Sequence, residues 1–437
     1  MIVVGYIIIV GGGAIVAAAA SPPPPIGSPR RSDVSMRSLT PHYSNVPKDA
    51  AKGEGGGVGL YDTWTAAAAF HVNRLDWVYT TNASFVEAAK SPAHGVRTVS
   101  LAMNTIVPDP GGGFDIGRVE NLYGQKISAP WMRAWPHGGP AWGCINNKDY
   151  LEIAFDRATE LVQAGTDDIQ HDDPESNGGV VTWDNGNASG SGCYCSYCMA
   201  KYTEALLAGG MNASARALNN ITSAFNYKEF LLAQEQKEPH VHGPDCNHDE
   251  GSKDEEMDSG PPPSAKAALL RSLFVEFQQN STERYVRDLR AHTNAAAGRN
   301  ITFSCNNGGR WGNRSTPWGP FNLFDFGIGE LAKSQANPGG LYEIFVSAVP
   351  QGKKQVMTMP KAKNITAADV PLIRWSIAYA YALGANIMVP WGSQDSAEHF
   401  CRSSGAALHT TSMARILICA HCSAFLDRIS TCQPRTQ

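Results

Sequence analysis

Apolar positions along the chain fall into two rhythms that take turns. Short apolar runs at residues 75–80 (LDWVYT), 96–104 (VRTVSLAMN), 301–305 (ITFSC), 323–328 (LFDFGI), 355–359 (QVMTM) and 386–391 (NIMVPW) read as strands. So does 168–174 (DIQHDDP), a buried-looking run that ends in acids and a proline. Between these runs the period lengthens to that of an amphipathic helix. Residues 84–90 follow the first strand, and Lys148–Gln163 sets Leu151, Phe155, Ala158 and Val162 on one face with Gly165 near its end. Residues 267–292 and 368–383, the latter stopped by Gly384, continue the series. Strand and helix in alternation predict a parallel sheet. Long segments after the strands, with no Gly-rich nucleotide turn after the first, favour an α/β fold of the TIM-type (β/α)8 barrel over an open sheet. An eighth strand is not readable, so the expectation is a barrel incomplete or altered at its C-terminal unit.

The segments outside this rhythm set the domain organisation. Residues 1–20 are apolar and end in an alanine run before Ser21, which reads as a signal peptide, with an uncleaved membrane anchor as the alternative. Asn-x-Ser/Thr sequons at Asn82, Asn187, Asn212, Asn220, Asn280, Asn300, Asn313 and Asn364 fit entry into a secretory route. The expected location is therefore secreted or in the secretory-pathway lumen, with membrane contact only if the leader is retained. Residues 21–58, rich in Pro, Gly and Ser, read as a flexible tether, and 59–391 as the barrel. Inside the barrel, 235–264 is polar, acidic and Pro-rich, a disordered surface insertion. Its His240, His242, Cys246 and His248 read as a solvated loop with incidental metal affinity. The tail 392–437 carries Cys401, Cys419, Cys422 and Cys432, and is either a cap or an altered C-terminus.

Composition changes this picture in one respect. The chain has 437 residues, 43% hydrophobic and 17% charged, ample for a large core. Its net charge of −4 comes with no dense basic block, which argues against a nucleic-acid partner.

The most specific chemical signal is in the cysteines. Cys193, Cys195 and Cys198 follow a C-x-C-x-x-C spacing, a poor frame for disulfides but a good one for converging thiolates on a soft metal ion. Cys144, just before the helix that leads into the acidic strand, would complete a four-thiolate set. Disulfide pairing, favoured by an oxidising route, is the competing outcome. The run Cys144-Ile145-Asn146 to Tyr150, a helix, an acidic strand end and then CYCSYC resembles the barrel domain of the thermophile-type β-galactosidases, a clan of retaining glycoside hydrolases. The resemblance covers roughly residues 142–202 and implies a structural zinc on the four cysteines beside the active site. It also implies an Asn-Glu step at the strand end, with the Glu as acid/base. Here that step falls on Asp173-Pro174, so that role is not carried over, and Asp172, Asp173 and Glu175 stand nearby.

Two carboxylates are what a glycosidase needs. Asp172 shares a strand face with Gln170 and should point into the barrel mouth. Glu330 ends the run DFGIGE after two glycines that would let a sugar approach the backbone. Asp172 and Glu330 are therefore the expected catalytic pair, with Asp173 as the reserve. Glu330 has the competing reading of a first helical turn, and Asp173 that of a loop cap. Glu343 reads as helical. Asn104, Gln170, Asn306, Trp311 and Trp391, at strand ends or in the loops beyond, suit carbohydrate: aromatic faces stack on sugar rings while amides meet hydroxyls. The reading is a glycoside hydrolase acting on oligo- or polysaccharide or glycoconjugate. An inactive glycan-binding barrel is the alternative. A catalytic metal is disfavoured because four cysteines leave no open coordination position.

Overall fold

The computed structural model describes residues 29, 34–37, 72–107, 116–129, 140–174, 176–178, 192–209, 221–235, 265–307, 319–329, 339–358 and 370–389. Eight parallel strands close a barrel in chain order. They are β1 (Val34–Arg37), β2 (Arg74–Val78), β3 (Thr98–Asn104), β4 (Asp168–Asp172), β5 (Thr302–Asn306), β6 (Phe326–Gly329), β7 (Lys354–Thr358) and β8 (Asn386–Val389). Each pairs with the next, and β8 closes on β1 through Ile387 beside Val34 and Val389 beside Met36.

Two expectations change here. The strand missing from the sequence reading is the first: Val34–Arg37 lies inside the segment assigned to a tether, well before residue 59 where the barrel was expected to begin. Closure therefore needs no further strand from the tail, and the barrel is not short of its last strand. The physical reason is that a strand paired on both edges gains its stability from two hydrogen-bonded neighbours, so four residues with two apolar positions suffice. The expected strand 323–328 also begins later, since Gly319–Leu323 forms a 3-10 turn before β6.

Seven helices are described: α1 (Ala83–Lys90), α2 (Lys148–Gln163), α3 (Ser196–Leu207), α4 (Tyr227–Glu235), α5 (Ala265–Ala297), α6 (Gly339–Ser347) and α7 (Val370–Ala382). Asn82 caps α1 by accepting from the Ser84 and Phe85 amides, and Asn147 caps α2 by accepting from Asp149. Glu343 is helical, as expected. Among the described residues no helix is long and apolar enough to cross a membrane, and the leader and tail lie outside them.

Alternation along the strands sorts side chains into two cores. Outward residues such as Leu75, Val99, Leu101, Ile169, Phe303 and Met357 join the helices in the main apolar cluster. Inside the barrel lie Trp77, Ala102, Phe326, Ile328, Val356 and Met388, with Tyr79 against them. The lower end of the interior is polar. Arg74 forks onto Asp76 at 2.6 to 2.9 Å and sits 3.8 Å from Asp168, on which Ser100 and Ser304 also converge. Burial pushes Asp168 up to about 8, which favours its protonated form at neutral pH, while Arg74 pairs with Asp76.

Candidate active site and metal centre

At the upper end of β4 stands Asp172, buried, on the same inward face as Asp168 and Gln170. Its Oδ2 accepts from the Tyr79 hydroxyl at 2.6 Å and from Trp77 Nε1 at 3.1 Å. Trp77 belongs to β2 and Tyr79 follows its last residue, and they reach Asp172 because β2 does not run regularly. The register between β2 and β3 shifts between Leu75 and Val78, and Trp77 has φ +61°. This bulge turns Trp77 inward directly after Asp76, leaving Val78 outward and Tyr79 inward again.

Backbone strain concentrates at this place. Trp77, Asp173 (φ 50°) and Ser176 (φ 40°) are the non-glycine residues with positive φ among the described residues, and all three flank Asp172. A non-glycine residue in this region costs about 1–3 kcal/mol and persists only where its surroundings hold it. Here they do: the Asp173 carbonyl accepts from Thr105 Oγ1 at 2.6 Å, and Ser176 Oγ donates to the Gly143 carbonyl at 2.5 Å. Directly below Asp172, Gln170 is fully buried, yet among the described residues neither its Oε1 nor its Nε2 meets a hydrogen-bond partner. A buried amide in that condition normally serves water or a ligand.

The remaining expected site residues divide. Asn104, opposite Asp172 on β3, turns its Oδ1 back to accept from the Ile106 amide at 3.2 Å, so it caps its own strand end. Asn306 ends β5 at the mouth, half-buried. Its neighbour Asn307 faces outward across Gly327 and shares hydrogen bonds with Gln355, a tie that a side chain at 327 would obstruct. Asp173 is buried at the strand exit. Glu330, Trp311, Trp391 and Glu175 lie outside the described residues, as do His240, His242, Cys246 and His248. Tyr79 and Trp77 were missed by sequence reading. The bulge that aims them has no mark in the run LDWVYT, where strict alternation would send Trp77 outward.

Beside the mouth, the loops after β3 and β4 build an annex with its own apolar core, from Val119, Leu122 and Trp142 to Phe274 and Phe277 of α5. Short antiparallel bridges, Ile106 with Trp142 and Arg118 with Gly143, deliver Cys144 to it. Cys195 is the N-cap of α3 and Cys198 lies in its first turn. The four sulfurs of Cys144, Cys193, Cys195 and Cys198 all fall within 4.8 Å of one another, buried, as free thiols. Cys144 Sγ is 3.5 Å from Cys195 Sγ and 3.4 Å from Cys198 Sγ. In a tetrahedral thiolate site with metal–sulfur bonds of ~2.3 Å, sulfurs stand about 3.8 Å apart. The cluster could therefore hold a metal ion. Burial raises the Cys193 and Cys198 thiols; at Cys144 burial acts the same way, but the three neighbouring thiols and Asn177 outweigh it and bring the group well below its ordinary value.

Outside the sulfurs, amides complete the surroundings. Asn177 Nδ2 lies 3.3 Å from Cys198 Sγ and 3.5 Å from Cys144 Sγ and donates to Gln278 at 2.9 Å. Asn146 Nδ2 lies 3.4 Å from Cys198 Sγ. Asn177 belongs to the strained exit of β4, so the cysteine cluster and the Asp172 loop share one hydrogen-bonded framework.

No family model matches the chain, and no curated protein matches it in sequence. Among solved structures, Aspergillus fumigatus Ega3 in complex with galactosamine is similar with a TM-score of 0.37 at 11% identity, over 86% of this chain and 96% of that one. An exo-β-agarase is similar with a TM-score of 0.40 at 10% identity over 74% of this chain, and the agarase AgWH50C with 0.35 at 10% over 77%. The matches span 40% and 43% of those two agarases. The barrel assignment rests on the strand pairing itself.

Proposed function

We propose that this protein is a glycoside hydrolase that works at the C-terminal mouth of its barrel, with Asp172 and Glu330 as the carboxylate pair. The observation that carries the reading is the concentration of positive-φ residues about Asp172, at the strand end where barrel enzymes place their chemistry. A sugar seated there would meet one carboxyl that donates a proton to the leaving oxygen and another that acts as nucleophile or base. Gln170, whose amide atoms meet no hydrogen-bond partner among the described residues, supports the same reading: it would bind a hydroxyl or a water beneath Asp172. Asn306, Trp311 and Trp391 are the further groups expected to contact the sugar, and Asp173 is the alternative acid.

For the cysteine cluster we infer a structural zinc. Four thiolates fill its tetrahedral coordination, so the ion would brace the annex and take no part in bond cleavage. Chelation and metal analysis test this assignment: zinc in about equimolar amount supports it, whereas oxidised, metal-free cysteines remove it.

The functional test is release of reducing ends from a panel of polysaccharides and aryl glycosides. Turnover by the native chain that Asp172→Asn abolishes supports the reading. Binding of sugars with no turnover across the panel would replace it with that of a glycan-binding barrel.

A further inference from the structure

The geometry points to Tyr79 and Trp77 as positioning residues that hold Asp172 as the unprotonated member of the carboxylate pair, which leaves proton donation to the other member. This inference rests on the glycoside-hydrolase reading for its consequence, but its physical content can be tested apart from it.

Three observations carry it. The Tyr79 hydroxyl lies 2.6 Å from Asp172 Oδ2, within the 2.5–2.7 Å range of an O–H donor on an ionised oxygen. Trp77 Nε1, 3.1 Å from the same oxygen, is a group that can only donate, so Asp172 Oδ2 must be the acceptor. Both donors are aimed by a strained bulge, Trp77 at φ +61° with the register shift beside it, where a regular strand would turn Trp77 away. Backbone distortion spent on directing two donors to one oxygen is preorganisation of an acceptor. Two donors on one oxygen favour the charged form of Asp172.

Among the described residues, these charged and titratable groups surround Asp172. Asp173 adjoins it at the strand exit, and Tyr79 faces it from just after β2. Below, on the inner faces of β2 and β4, Arg74 pairs with Asp76 while burial favours the protonated form of Asp168. His171 points outward to Tyr285 and is held neutral by burial, at about 4. β3 contributes the neutral Asn104, and β5 the neutral Asn306.

Three variants test the proposal. The indole N–H of Trp77, identified among the ten tryptophans by its loss in Trp77→Phe, reports Asp172 by NMR whether or not a substrate is known. Its shift should titrate at acid pH, and Asp172→Asn should abolish that titration. In Tyr79→Phe the midpoint should rise by about one pH unit, since a donor to the charged form is lost. With a substrate in hand, Tyr79→Phe should lower kcat roughly tenfold with little change in KM, and move the acid limb of the pH profile upward by the same step. A Trp77 signal indifferent to Asp172→Asn, or a midpoint that Tyr79→Phe leaves in place, overturns the assignment even if the native enzyme is active. If the titration behaves as described but no glycoside is cleaved, the positioning stands and the hydrolase reading falls.

Discussion

Asp168 and Asp172 are the same residue on the same face of the same strand, about 13 Å apart, and the protein treats them in opposite ways. Asp168, at the lower end, is enclosed by Arg74, Ser100 and Ser304, and burial favours its protonated form. It belongs to a polar plug in which Arg74 forks onto Asp76. Asp172, at the upper end, is met by a phenol and an indole from a bulged strand, and the backbone on both sides of it is strained. The lower end gathers its polar groups into a hydrogen-bonded network, whereas the upper end keeps strained backbone around a carboxyl oxygen that takes two donors. On the proposed reading, that contrast separates a structural acid from a functional one.

The contrast should break most visibly when the cysteine cluster is disrupted. The exit loop of β4 reaches the cysteine cluster through Asn177, while the lower plug has no tie to it among the described residues. If the cluster holds the proposed zinc, its removal by chelation, like the substitution Cys198→Ser, should lower Tm by about ten degrees or more, given how strongly structural zinc couples to folding. Hydrogen exchange should then quicken at residues 173–178 and in the annex before it does at Asp168 and Ile169. Equal loss at both ends would mean that the annex does not brace the mouth.

A smaller effect belongs to the plug. Because burial raises Asp168 above its unfolded value to about 8, its folding contribution is intact below an unfolded carboxyl pKa of about 3.9, and is progressively lost as pH rises to 8 and beyond. Asp168→Asn should flatten this part of the pH dependence, so that the variant gains on the native chain by several degrees of Tm between about pH 4 and pH 9. Thermal melts across that range check it, and parallel curves would show that Asp168 is ionised after all. The smallest effect is expected at Gln170. Replacing this buried amide, which has no hydrogen-bond partner among the described residues, by Met should raise Tm by about one or two degrees while lowering turnover if the amide serves substrate or water as proposed. A fall in Tm would reveal a structural partner for it.

Much of this arrangement was legible beforehand, and the reasons for the misses are physical. Helix α2 was read with its limits intact because a continuous amphipathic face follows the capping Asn147. The thiol cluster was readable because its members are close in sequence and only Cys144 has to be brought from elsewhere. Strand β1 was not, because four residues among prolines and serines carry no apolar run, and their pairing with β2 and β8 is a property of the closed barrel. The pair Trp77 and Tyr79 escaped for a related reason: alternation assumes a regular strand, and the bulge breaks it where the site is built. Asn104 and Asn307 were sorted by neighbours that sequence does not reveal, the first by its own strand end and the second by Gly327 and Gln355.

On the proposed reading, the upper acid of β4 performs chemistry and the lower one does not. The most direct measurement is the initial rate of glycosidic bond cleavage by the native chain, Asp172→Asn and Asp168→Asn, on a substrate the native chain turns over, at a pH where all three are folded. Asp172→Asn should fall by about a thousandfold or more, as expected for loss of an acid, base or nucleophile, while Asp168→Asn stays within a fewfold of native. Native-like turnover by Asp172→Asn, or equal losses in the two variants, would contradict the claim.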